Sequence, residues 1–138
     1  MQTITPYLLY EDVDAALDFL SKAFGFQEVL RYTGEGGYVN HAEMRLGDAV
    51  IYLGDPGEQY RNPKKVGETV GIYVIVEDVD GHCERARAAG AEVDEEPVDQ
   101  EYGERRYSAV DPEGHRWWFA QPIREVAPEK WGATVAAS

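Results

Sequence analysis

His41, Glu43 and Arg45 alternate along the apolar run Tyr38–Leu46. On a strand, alternation puts all three on one face, with Ala42, Met44 and Leu46 on the other. A His-x-Glu pair of this kind serves as an acid/base couple, as a fragment of a displaced metal site, or as an ion-paired strand face. The other two histidines have plainer surroundings. His115 closes the turn Asp111-Pro-Glu-Gly-His, where a structural hydrogen bond is expected, and His82 sits among polar neighbours on a predicted helix, where it is expected to be solvated. Cys83 is the only cysteine. Its helical phase turns it toward the sheet, so it reads as a buried inert thiol rather than a nucleophile. Arg105 and Arg106 follow Gly103 and suit either an anionic ligand or the many nearby carboxylates.

These residues sit inside an internal repeat. Thr3-Ile-Thr-Pro-Tyr-Leu-Leu-Tyr-Glu-Asp-Val-Asp14 returns 66 residues later as Thr69-Val-Gly-Ile-Tyr-Val-Ile-Val-Glu-Asp-Val-Asp80. Thr3, Tyr7, Glu11, Asp12, Val13 and Asp14 are identical in the two copies. An offset near half the chain implies two copies of one structural unit. Each copy opens with a β-rich run, Ile4–Tyr10 and Val70–Val76, although Pro6 weakens the first as a central strand. Glu-Asp-Val-Asp then suits a helix start. Val13, Ala16, Leu17, Leu20 and Phe24 keep helical spacing, as do Val79, Cys83 and Ala86, and Gly25 and Gly90 stand where each helix should stop. Three strands follow in each half: 27–33, 38–46 and 49–53, then 91–98, 106–111 and 116–121.

The fold class read from this pattern is α+β: two β-α-β-β-β modules, 3–55 and 69–121, joined by a Pro- and Gly-rich linker at 56–68. Residues 1–123 are expected to form one domain, and 124–138 a tail with a short helix around Glu125–Trp131. The helix of each module covers one sheet face, and two modules side by side give a curved, cup-shaped mixed sheet with its helices on the convex side, a natural small-molecule site. The net charge of −13 argues against nucleic acid and anionic membrane as partners. A lone cysteine fits a reducing compartment, and no run looks like a targeting or spanning segment, so a cytoplasmic location is expected.

The paired modules, with Asp-Val-Asp opening each helix and Asp111-Pro-Glu-Gly-His-Arg-Trp117 leading the last strand, resemble the vicinal oxygen chelate superfamily of glyoxalases, bleomycin-resistance proteins and extradiol dioxygenases. His41-Ala-Glu-Met-Arg-Leu-Gly-Asp48 and Tyr102-Gly-Glu-Arg-Arg106 are similar to its PhnB-like branch. The resemblance implies a divalent metal held by His and Glu at the cup floor, and commonly a homodimer in which a partner completes the cup. Counting from the family's motifs puts the ligand positions at Thr5, Ile51, Gly71 and Trp118, none of which is a competent metal ligand.

With those positions as anchors, alternation gives the expected lining: Thr5, Tyr7 and Leu9; Gly71, Tyr73 and Ile75; Arg116, Trp118 and Ala120; Ala49, Ile51 and Leu53; and His41, Glu43 and Arg45. Leu8, Val50, Tyr52, Ile72, Val74, Trp117 and Phe119 are expected to pack under the helices. Aromatic groups with a few charges suit a planar or amphipathic organic ligand, unless the rings simply fill the cup as core. The expectation is a metal-independent small-molecule binding protein with no cofactor. The alternative is a divergent lyase or isomerase using His41 and Glu43, or a displaced metal site. A third possibility is a filled cup, with the protein acting through its dimer surface.

Overall fold

The structure, a computed structural model, describes residues 2–137. Its element order carries the repeat through. In the first module β1 (Tyr7–Leu9) is followed by α1 (Val13–Phe24), β2 (Gln27–Thr33), β3 (Val39–Leu46) and β4 (Ala49–Gly54). After a four-residue helix α2 (Pro63–Val66) the second module repeats it with β5 (Gly71–Ile75), α3 (Val79–Ala88), β6 (Glu92–Asp99), β7 (Glu104–Val110) and β8 (Arg116–Pro122). Strand pairing stays inside each module, so two four-stranded mixed sheets form, ordered β1-β4-β3-β2 and β5-β8-β7-β6. The first strand of each module runs parallel to the last, and the other pairs are antiparallel.

The duplicated Asp-Val-Asp does the same work twice. Asp12 accepts a hydrogen bond from Ala15 N at 3.0 Å, and Asp78 from Gly81 N at 3.1 Å. Each satisfies a backbone donor that its helix cannot. Val13, Ala16, Leu17, Leu20, Ala23 and Phe24 form the buried stripe of α1, and Val79, Cys83 and Ala86 that of α3. Gly25 ends α1 in the left-handed region at φ +83°. The two helices pack on one another, and each covers one face of its own module's sheet.

One core therefore runs through both modules. Met44 and Leu53 of the first sheet and Tyr107, Trp117 and Phe119 of the second are fully buried. Phe24 bridges them, with its ring centroid 5.3 Å from Trp117 and 4.7 Å from Phe119. Burying side chains of this size contributes about 1.5–3 kcal/mol each. A polar knot reinforces the join: the buried carboxylate of Asp111 accepts from Tyr10 Oη at 2.7 Å, Trp117 Nε1 at 3.2 Å, and the backbone of Glu113 and His115. Glu113 in turn accepts from the backbone N–H groups of Glu11 and Asp12.

Three local expectations change. β1 is three residues long rather than spanning Ile4–Tyr10. Helix α2, inside the presumed linker, is capped by Asn62 accepting from Lys65 N. The tail holds a 3₁₀ turn at Pro128–Trp131 instead of a longer helix.

Candidate functional site

Each sheet has one face buried by its helix and one open face. The open faces carry the residues of interest, in two groups. On the first sheet, β1 lies parallel to β4 with Tyr7 opposite Tyr52, and β3 places Glu43 opposite the same Tyr52. Tyr7 Oη lies 2.9 Å from His41 Nδ1, and His41 Nε2 lies 3.1 Å from Glu43 Oε2. With the His41 proton on Nε2, the arrangement is a chain in which the phenol donates to Nδ1 and Nε2 donates to the carboxylate. Tyr52 packs edge-on against both Tyr7 and His41 at 5.6 and 5.3 Å. Gly54 makes room for this cluster, because a Cβ there would fall 2.7 Å from the Tyr7 ring. Arg45 shares the strand face but is exposed and, among the described residues, forms no ion pair. Thr5 precedes β1 and accepts from Gln2 Nε2 at 3.2 Å.

On the second sheet the duplicated tyrosine, Tyr73, sits opposite Trp118, with ring centroids 6.4 Å apart. A Cβ on Gly71 would fall 2.2 Å from Trp118 Cζ3, so the ring occupies the space the missing side chain leaves. Tyr73 Oη donates to Glu104 Oε1 at 2.5 Å and lies 3.1 Å from Tyr102 Oη. Burial, then these hydrogen bonds, hold the Tyr73 phenol well above its ordinary value, so it stays a neutral donor. Tyr102 packs edge-on against Trp131 of the tail at 5.8 Å. Arg116, with a side chain only 16% exposed, is clamped by Glu68 at 3.0 Å and Asp94 at 2.5 Å. Arg106 donates to Tyr102 Oη at 3.1 Å.

The structure thus brings Tyr7, His41, Glu43 and Arg45 onto one face and Tyr73, Arg116 and Trp118 onto another. No hydrogen bond, ion pair or ring contact among the described residues joins the two groups, although Tyr7 and Arg116 line one cavity. Ile51 belongs to neither. It is 4% exposed and lies in the core beside Met44, while Tyr52, expected beneath the helix, takes the open face. The 66-residue offset carries Trp118 onto Tyr52, and both are the register partners of the duplicated tyrosines. The expected lining was one residue out of phase along β4. Leu53, fully buried, and Val50 exchange faces for the same reason. Tyr52, Tyr102, Glu104 and Trp131 are the site residues that sequence reading missed. The repeat signals the first, and the other three lie in a loop, a strand start and a tail that only folding brings together.

The remaining candidates are structural. His115 Nε2 donates to Leu9 O at 2.7 Å, as expected for the turn. His82 is not solvated: it is half-buried between Tyr107 Oη at 2.5 Å and Phe24 O at 3.2 Å, and burial pulls its pKa below the ordinary histidine value. Cys83 is 2% exposed, with burial pushing its thiol up. Arg105 pairs with Asp80 and Asp99.

A pair of β-α-β-β-β modules with an aromatic open face on each sheet defines a glyoxalase-type scaffold. Residues 3–119 match the Glyoxalase/Bleomycin resistance protein/Dioxygenase superfamily, and the chain belongs to it. Uncharacterised proteins of Mycobacterium bovis and Mycobacterium tuberculosis are each 35% identical over 140 residues, covering 97% of this chain and 92% and 82% of theirs. Among solved structures, TioX from Micromonospora sp. ML1 is 34% identical, covers 89% of this chain and all of its own, and superposes with a TM-score of 0.73. The fosfomycin resistance protein FosX of Listeria monocytogenes shares the fold at 15% identity, 89% and 94% coverage and a TM-score of 0.67.

The divalent metal this family implies does not fit the residues present. The floor positions hold Thr5, Tyr52, Gly71 and Trp118, and hydroxyl, phenol, hydrogen and indole make no hard-metal donor set. Among the described residues no group of three or more His, Cys, Asp or Glu is placed to hold a metal ion. No described helix is long and apolar enough to cross a membrane.

Proposed function

We propose that this protein binds a planar or amphipathic organic molecule on its aromatic sheet faces without a metal. The observation that supports this best is the replacement of the metal-ligand positions by stacking surfaces: Trp118 lies over Gly71 beside Tyr73, and Tyr52 lies beside Tyr7. Flat apolar rings with few fixed hydrogen-bonding groups favour ligands held by stacking. Tyr7, Tyr73 and Trp118 are the stacking residues. Thr5, His41, Glu43 and Arg45 supply polar contacts, and Arg116 holds the edge of the second face. Elemental analysis of protein purified without chelator tests the metal-free part. Stoichiometric Zn, Ni, Fe or Mn that disappears on His41→Ala would defeat it.

The reading includes a homodimer in which a second copy covers the open faces. Tyr7 at 52%, Tyr32 at 62% and Ile75 at 54% exposure are apolar surface that a lone chain leaves in water. The lone buried Cys83 supports a cytoplasmic location, and the net charge of −13 supports a small-molecule partner over nucleic acid or anionic membrane.

A second reading, a lyase or isomerase, is favoured by one observation, the Tyr7–His41–Glu43 chain. Such a chain lets the phenol pass its proton to the imidazole while the carboxylate steadies the imidazolium, which is the wiring of an acid/base device. If the protein transforms its ligand, Tyr7→Phe abolishes turnover while leaving binding intact. Binding without turnover in the wild type returns the chain of bonds to a purely structural role.

A further inference from the structure

The second sheet's open face has an electrostatic asymmetry that its aromatic character alone does not require. Trp118, Tyr73, Tyr102 and Trp131 follow one another through contacts of 6.4 Å between centroids, 3.1 Å between hydroxyls and 5.8 Å between centroids. Glu104 stands within this run. It is held by the Tyr73 hydroxyl, a neutral donor, and among the described residues it has no Lys, Arg or His partner. Two of the three arginines nearby are already matched. Arg116 lies between Glu68 and Asp94 and Arg105 pairs with Asp80 and Asp99, whereas Arg106 rests on Tyr102 Oη, stands 3.6 Å from Glu95 and leaves its buried Nε without a partner among the described residues. At the outer rim one cavity is lined by Glu101, Glu125, Arg124 and Lys130, whose formal charges sum to zero. Among the rings, the carboxylate without a cationic partner among the described residues is that of Glu104. The first sheet repeats the pattern more weakly, since Glu43 is held only by His41.

We propose that the ligand is an organic cation, a planar ring system carrying a quaternary or protonated nitrogen, received among these four rings against Glu104. The proposal rests on the binding reading above and adds to it the sign of the ligand's charge. Ring faces attract a cation through their quadrupole, and an unpaired carboxylate adds a direct Coulomb attraction at a site partly shielded from water. The chain's overall charge of −13 steers the same class of ligand toward the protein over longer range. A neutral planar molecule gains only the stacking, and an anion meets Glu104 as a repulsion.

Calorimetric titration of the full chain at pH 8 with N-methylquinolinium, 2-methylquinoline and quinoline-2-carboxylate tests this. The cation is expected to bind about ten-fold tighter than the neutral ring, equivalent to about 1.4 kcal/mol, and the carboxylate more weakly than either. That preference should shrink as salt rises from about 20 mM to about 500 mM, where screening shortens to a few ångströms. Glu104→Gln keeps an acceptor for Tyr73 but removes the charge, so the ratio of cation to neutral-ring affinity should fall from about ten to about one. Equal affinities in the wild type, or a preference that survives Glu104→Gln, overturn the proposal and leave the binding reading standing. If none of the three binds, the binding reading fails and takes the proposal with it.

Discussion

Tyr7 and Tyr73 descend from one position and now do different things. Tyr7 feeds a His–Glu pair, whereas Tyr73 donates to Glu104 and leads into a run of rings. Each depends on a glycine beside it, so single-methyl changes are informative. Gly71→Ala must push the Trp118 ring aside, at a cost of about 1–3 kcal/mol, and should weaken ligand stacking more than it lowers stability. Comparing ligand affinity with the urea midpoint separates the two effects. Asp111 is the residue on which the join between modules depends. Asp111→Ala strands the buried Tyr10 hydroxyl and Trp117 indole N–H, and should cost about 3 kcal/mol in chemical denaturation. Much of this residue-level picture was legible in the repeat, which marked the paired tyrosines. Ile51 was misplaced because Ala49-Val-Ile-Tyr-Leu53 is apolar at every position, so period two is silent there and only the pairing of Tyr52 with Tyr7 sets the face.

At the scale of elements, the helices were the most legible part, because capping acids and apolar spacing are local signals. Asp12→Ala and Asp78→Ala should each lower stability by about 1 kcal/mol, and the double variant by about their sum, since the two caps share no partner. The packing between helices was not legible. His82 reads as solvated from its neighbours in sequence, yet its partners are Phe24 O, 58 residues back, and Tyr107 Oη, 25 ahead. Its buried imidazole is held neutral, so its folded pKa lies below the unfolded value near 6.5. Above that value His82 costs the fold nothing. As pH falls below it the unfolded chain takes up the proton first, and stability drops until the folded pKa is reached. Thermal unfolding at about pH 7.5 and about pH 5.5, one unit above and below the unfolded value, should therefore show a larger acid loss in the wild type than in His82→Gln.

For the whole molecule, two modules share one core through Phe24 and the Asp111 knot, while each presents an aromatic face outward. The duplication explains that architecture, and the drift between its copies explains why Tyr7 meets a His–Glu pair on one face and Tyr73 meets Trp118 and Glu104 on the other. Tyr102 and Trp131 joined the second face from a loop and the tail, where no periodicity reports on contact. Covering both faces with a second copy predicts a dimer by light scattering, and Tyr32→Glu on the first face should shift it toward monomer. We propose stacking, in place of a metal, as what holds the ligand. Its most direct test is tryptophan-fluorescence titration, after exhaustive chelation, with planar aromatic compounds that include N-methylquinolinium. Saturable quenching that persists without metal and is lost in Trp118→Ala is the predicted result. Quenching that appears only when a divalent metal is restored, or that Trp118→Ala leaves unchanged, would contradict it.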